Sequence, residues 1–432
     1  MELQPISYQI VYNHKNITKD ISDYLLSLKY DDRTEAKSDE IELELHDKDL
    51  LWQNDWYPAK GDKLSIEIRD KGASLQCGTF TIDEMEIMTD RNGDIVRIRG
   101  MAAAITKKIR TKRSSAHENK TLKELAESVA TNHGLTLQGQ IGNIRIGRIT
   151  QYQESDLSFL HRISSKFGYT FSIRDNTLTF TNTQELESKA HILTMDKTYI
   201  TKGYFHDKSK EVFSRVDVNY HNPKTNQLIS AAITREQTIA ANIAAKTEAL
   251  KKIVQDAESK KEDTSLLDDL FGADVQKVSM ADIETIDQFP GYDGLNINEP
   301  VDDDLQAESV ARAAMHKSIT REKTCSISCP GSTLLVSGIN IELTGFGQLS
   351  GIYHITESAH NVDRANGYET TFQAKRVDTT AKKKYRPKLN STSNSKTLEE
   401  INFETYKKIQ QFKVATINAL KKRGLLEDTE NF

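Results

Sequence analysis

Glu154, Ser155, Asp156 and His161 fall within eight positions of the stretch YQESDLSFLHRISSKFGYTFSI (152–173), a combination that raises the question of a nucleophilic site. Such a site needs hydroxyl, imidazole and carboxylate converging within hydrogen-bond reach. Ser155 and His161 are six positions apart, well over one helical turn, and Ser155 or Asp156 stands where a helix begins. Leu157, Leu160, Ile163 and Phe167 recur as one apolar stripe, and Gly168 stops it. Capping accounts for the serine, and the chain has no G-x-S-x-G elbow. Cys325-Ser-Ile-Ser-Cys329 puts two thiols on one face of an alternating strand, where they read as buried side chains, because a structural zinc takes four ligands. The 11 histidines form no H-x3-H or H-E-x-x-H array. Glu84 and Glu86 share a strand face, whereas a glycosidase pair comes from separate elements flanking a cleft. Lys107, Lys108, Arg110, Lys112 and Arg113 put five basic residues in seven positions with no aromatic side chain for base stacking, which reads as a connector or subunit contact first and a phosphate-binding strip second. No catalytic residue, cofactor or metal ligand is expected.

The elements behind these residues are mainly strands. The 432 residues suggest about three domain-sized units, and a net charge of -5 does not call for nucleic acid or an anionic membrane as partner. Three cysteines, Cys77, Cys325 and Cys329, fit a reducing compartment. The start MELQPISYQIVYNHKN lacks a signal-peptide pattern and no run of about 18 apolar residues occurs, so synthesis in the cytoplasm without a cleaved signal or stable membrane anchor is expected. Short apolar/polar alternations over 1–112, such as Ile41, Leu43 and Leu45 against Glu42, Glu44 and His46, predict a first antiparallel β domain. Residues 113–200 predict a small α+β domain. Thr121 and Glu124 form a capping box ahead of one helix, Ser155 opens the next, and a hairpin turns at Asp175-Asn176. Residues 201–380 predict a second β domain, including the 214–231 hairpin, with an insertion at about 235–302 and a helix at DDDLQAESVARAAMHKSI.

The two β domains share one pattern. GTFTIDEMEI from Gly78 is echoed by GIYHITESAH from Gly351, both Gly-x-aromatic-x-Ile-x-Glu, each followed by an Asn-Gly turn and an outgoing strand and preceded by a matching strand, KLSIEIRD and GINIELTG. After 381–396, a basic and then Ser/Asn-rich linker, the 397–432 segment predicts a helix. Its apolar side, with Ile401, Tyr406, Ile409 and Phe412, is the candidate partner-binding surface.

NITKDISDYLLSLKYDDRTEAKSDEIELELHD, GTFTIDEMEI and QYQESDLSFLHRISSKFGYTFSI occur in the order found in the late control protein D family, the baseplate hub proteins of contractile-tailed phages and phage-derived injection systems, which are related to the first part of VgrG-type spikes. The chain resembles that family over 8–215 and 305–378, including its Q-E-S-D-x-x-F-L-x-R signature at Gln153, Glu154, Ser155, Asp156, Phe159, Leu160 and Arg162. The resemblance implies a homotrimer of two barrel-like β domains per chain that joins a hexameric inner tube to a trimeric spike. It implies as partners the tube or tube-initiator protein, the spike and the baseplate wedge proteins, and assembly into a virion or virion-like particle. Polar strand faces carrying Glu42 and Glu44 would meet the channel or solvent. An alternative is a tail-borne module that degrades cell wall or binds glycan, with Glu84 and Glu86 at its site.

Overall fold

The computed structural model describes residues 6–34, 38–70, 73–91, 93–102, 107–174, 176–223, 226–242 and 293–377. The 381–396 linker and the 397–432 helix, with Ile401, Tyr406, Ile409 and Phe412, lie outside the described residues, as does most of the 235–302 insertion.

The first 102 residues form β1 (Ser7–Tyr12), β2 (Lys15–Asn16), α1 (Thr18–Ile21), β3 (Leu25–Arg33), β4 (Glu40–His46), β5 (Lys63–Asp70), β6 (Ala73–Asp90) and β7 (Gly93–Ala102). Strand β4 shows why. Ile41, Leu43 and Leu45 are buried and the residues between them are not, the period of two that a sheet covered on one side imposes. Next come α2 (Lys107–Arg110), β8 (Arg113–Thr121), α3 (Leu122–Asn132), β9 (Thr136–Gln138), β10 (Arg145–Glu154), α4 (Asp156–Lys166), β11 (Tyr169–Arg174), β12 (Thr177–Asn182) and α5 (Thr183–Ser188). The remainder contains β13 (Leu193–Asp196), β14 (Lys202–Asp207), β15 (Arg215–Asn222), β16 (Gln227–Thr234), β17 (Gly294–Ile297), α6 (Asp304–Glu322), β18 (Lys323–Pro330), β19 (Asn340–Thr344), β20 (Gly351–Asp363) and β21 (Gly367–Arg376).

The architecture is mostly β, as expected, but neither β domain closes into a barrel among the described residues. One sheet runs β14-β18-β21-β20-β3-β4-β7-β6-β5-β1-β2, with β19 beside the start of β20 and β13 beside β19. The edge of β3 that could close the first unit on itself is occupied by β20, through seven antiparallel pairs from Glu357–Arg33 to Asp363–Ser27. The hydrogen bonds that would seal two barrels join them instead.

The duplication is present strand by strand except at one edge, where β1 runs antiparallel to β5 but β13 runs parallel to β19. The first unit is ordered β3-β4-β7-β6-β5-β1 and the second β14-β18-β21-β20-β19-β13. The long strand of each carries a bulge at the same place. Asp83 is the extra residue between Ile82 (opposite Gly100) and Glu84 (opposite Arg99), and Thr356 is the extra residue between Ile355 (opposite Ala374) and Glu357 (opposite Gln373). The glycine opening each motif has positive φ, +102° at Gly78 and +149° at Gly351, which explains why both copies keep the residue without Cβ.

Among the described residues, three apolar cores lie along this scaffold. One fills the first unit around Leu28, Tyr30, Phe80 and Ile98; another fills the second around Ile327, Tyr353 and Phe372. The third joins α3 and α4 to α6 and to Val216, Val218 and Ile229. The 214–231 hairpin, expected in the second β domain, therefore pairs with β17 in a separate three-stranded sheet and packs with the middle region. Inside the stretch expected as an insertion, 235–242 is helical and β17 runs parallel to β15. The alternation of Val216 and Val218 identified the strand, but not which of three apolar surfaces it would cover.

Candidate assembly site: a charged sheet face and the joint between two units

Strands β4, β7 and β6 bring two glutamate–arginine–glutamate rows onto one face. Glu42, Arg99 and Glu84 lie in register, as do Glu44, Arg97 and Glu86. Arg99 Nε is 2.7 Å from Glu42 and its Nη1 is 3.0 Å from Glu84. Arg97 Nη2 is 2.6 Å from Glu44 and its Nη1 is 3.0 Å from Glu86. Bonding to Glu44, and secondarily to Glu86, holds Arg97 above its ordinary value, and Glu42 with Glu84 does the same for Arg99. Solvent-facing pairs of this kind contribute little stability; directly opposed unlike charges favour one strand register. At the corresponding rungs of the second unit stand Ser326 with Gln373 and Ser328 with Thr371, whose hydroxyls are 2.8 Å apart. Glu84 and Glu86 thus lie on an open sheet, each held by an arginine.

Behind this face the two units are joined by buried polar groups. Asp32, fully buried on β3, accepts from Ser337 N at 2.8 Å and Ser337 Oγ at 2.6 Å, and pairs with Arg174 of β11. Asp39 accepts from Arg33 N at 3.0 Å and Tyr30 Oη at 3.2 Å. Burial, with Asp32 nearby, pushes the Asp39 carboxyl up to about 6. His360 of β20 stacks on Tyr30 and bonds Tyr368 Oη at 2.8 Å, and burial pushes it down to about 4. A second clamp centres on Glu187 of α5, which meets His316 of α6 at 2.7 Å and Lys375 of β21 at 2.9 Å. Burial opposes the charge of Glu187, yet Lys375 and then His316 outweigh it and hold the carboxyl at about 2. These clamps tie both β units to the middle region.

The signature stretch has a structural use throughout. Ser155 caps α4 by accepting from Ser158 N at 3.1 Å, and its hydroxyl lies 2.9 Å from that of Ser158. Asp156 is buried and accepts from Arg113 Nε at 2.6 Å and Gln151 Nε2 at 2.8 Å, with His133 Nε2 at 2.6 Å; burial raises its carboxyl, but these partners hold it below the ordinary range. Glu154 pairs with Arg162, which also donates to Thr150 O at 2.9 Å. His161 lies beyond the cap, its Nδ1 3.5 Å from Ser165 Oγ. Thr121 and Glu124 close the expected capping box. In the basic run, Arg110 reaches Asp83 at the β6 bulge at 3.2 Å and Arg113 binds Asp156, the connector role. Cys325 and Cys329 are both buried, with thiols pushed up to about 12 by burial. Sequence reasoning missed Asp32, Asp39, Arg174, Ser337 and His360. One signal was present, since Leu28-x-Tyr30-x-Asp32 puts Asp32 on the apolar side of its strand.

No family model matches the chain. Over 177 residues it is 31% identical to the probable baseplate hub protein of Escherichia phage P2, covering 40% of this chain and 44% of that one, and it is 29% identical over 178 residues, with the same coverage, to the probable baseplate hub protein of Escherichia phage 186. The chain thus matches less than half the length of these curated relatives. Its fold matches the 43 kDa tail protein of prophage MuSo2 from Shewanella oneidensis, with a TM-score of 0.57 and 14% identity over 86% of this chain and 98% of that one. The chain is similar in sequence to part of the probable baseplate hub proteins of phages P2 and 186, and it has the fold of a phage tail protein.

Proposed function

We propose that the chain is the structural hub of a contractile phage tail or phage-tail-like injection particle, a homotrimer that joins the hexameric inner tube to the trimeric spike and on which tube and baseplate assembly begins. The observation that carries this reading is the duplicated unit, with the same strand order and the same bulge in both copies. Three chains holding the unit twice offer six similar surfaces to a sixfold tube, while their own threefold axis suits a trimeric spike. Similarity to phage baseplate hub proteins supports placing it in a tail.

In this role the chain does no chemistry and holds no cofactor. Its charged face and buried clamps serve to fix strands, and its partners are the tube or tube-initiator protein, the spike and the baseplate wedge proteins. It is made in the bacterial cytoplasm and built into the particle, with the segment carrying Ile401, Tyr406, Ile409 and Phe412 docking on the spike, a neighbouring hub chain or cargo. Deleting the gene in the producing bacterium tests the reading by electron microscopy. Complete particles should disappear and return when the gene is supplied. Normal particles in the deletion strain would overturn it.

A further inference from the structure

The joint inside the chain indicates how two copies meet. Strand β20 is flanked by β19 along its start, and beyond the Thr356 bulge its vacated edge takes β3. Strand β6 is the equivalent strand of the first unit. It is flanked by β5 along its start, and beyond the Asp83 bulge no described strand lies on that edge, where residues 86–90 are all exposed. Strand β14 is the equivalent of β3 and, among the described strands, ends the sheet at the other side. Each chain therefore carries both halves of a second joint, one at each end.

We propose that residues 84–90 of one copy pair antiparallel with β14 of the next copy, continuing the sheet from chain to chain. The register follows from the internal joint with no free choice. Ser27 and Lys202 occupy the same place opposite Glu44 and Ser328, and Asp363 and Asp90 occupy the same place in the long strands. Since Asp363 pairs with Ser27, Asp90 is set opposite Lys202. The next positions set Met88 opposite Tyr204 and Ile87 opposite Phe205. Met88 is 38%, Ile87 38% and Tyr204 56% exposed in the single chain, and these are three of its exposed large apolar side chains. An opposite-charge pair and two apolar pairs thus arise from a register derived without reference to those residues. A head-to-tail contact of this kind makes a ring or a filament; closure at three chains rests on the hub reading above.

The test uses the full chain with Met88→Cys and Tyr204→Cys, separately and together, because directly paired strand positions come within disulfide range. Lys29→Cys with Asn361→Cys, the matching pair of the internal joint, serves as the positive control for strand geometry. Mixing the two single variants under oxidation should give a covalent dimer, while either alone gives none. The double variant should give a covalent ladder ending at three times the mass of one chain. Homotypic 88–88 or 204–204 links would mean a twofold contact and overturn the proposal, as would a monomer, or an oligomer that forms no link while the control pair does. The last result, in a strain whose particles need the gene, leaves the hub reading standing; links that form in a chain the particles do not need would remove that reading and keep the joint.

Discussion

At the scale of single residues, the joint between the two units balances opposite titrations. Asp39 has a folded value raised to about 6 from 3.8, so it binds a proton in the folded chain at pH values where the unfolded chain has lost it. Its contribution is present below 3.8 and is lost as pH rises through 6, by up to about 3 kcal/mol. His360 runs the other way, depressed to about 4 from 6.5. The folded state keeps it neutral, so stability present above 6.5 is lost as pH falls through 4, by a similar amount. Asp39→Asn should therefore gain stability over the parent at pH 8 and show a steeper acid loss between pH 6.5 and 4 in urea titrations. His360→Gln should remove that acid loss and leave a decline as pH rises from 4 to 6. Equal pH profiles for parent and both variants would refute the assignment.

At the scale of elements, caps and bulges set where strands and helices begin and which way they face. Ser155→Ala removes the acceptor for Ser158 N and should cost about 1 kcal/mol, read as a lower denaturation midpoint, with particle assembly unchanged; a loss of function without a loss of stability would reopen the catalytic reading. Thr356 is the extra residue that turns Ser358 and His360 inward, and its carbonyl accepts from Thr34 N at 3.2 Å and Thr34 Oγ1 at 2.9 Å. Deleting Thr356 shifts the register by one and reverses the faces of the whole β3–β20 ladder. The expected cost is about 4 kcal/mol or more, whereas Thr356→Ala, which keeps the residue count, should cost about 1 kcal/mol or less. Circular dichroism during urea unfolding separates the two.

At the scale of the whole molecule, the described residues up to 377 belong to one compact unit. The cores formed by the described residues of this unit are the three named above. A chain ending at Asn390 should unfold at the parent's urea midpoint, within about 0.5 kcal/mol, and yet fail to retain a partner that co-purifies with the full chain. If all partners stay bound to the shortened chain, the 397–432 segment has another role.

Much of the fold is legible in the sequence. Paired Gly-x-aromatic-x-Ile-x-Glu motifs announced a duplicated strand unit, because bulge, turn and alternation are local and depend on residues a few positions apart. Thr121, Glu124 and Ser155 announced helix starts for the same reason. Where the strands go was decided only in three dimensions. Two barrels and one continuous sheet use the same alternation, since ladder bonds join backbone groups that every residue carries. Asp32 could be placed on an apolar face from its neighbours, but its cost of burial is met by Arg174 and Ser337, 142 and 305 positions away. Short-range chemistry sets the elements of this chain, and contacts between residues hundreds of positions apart decide which of their edges meet.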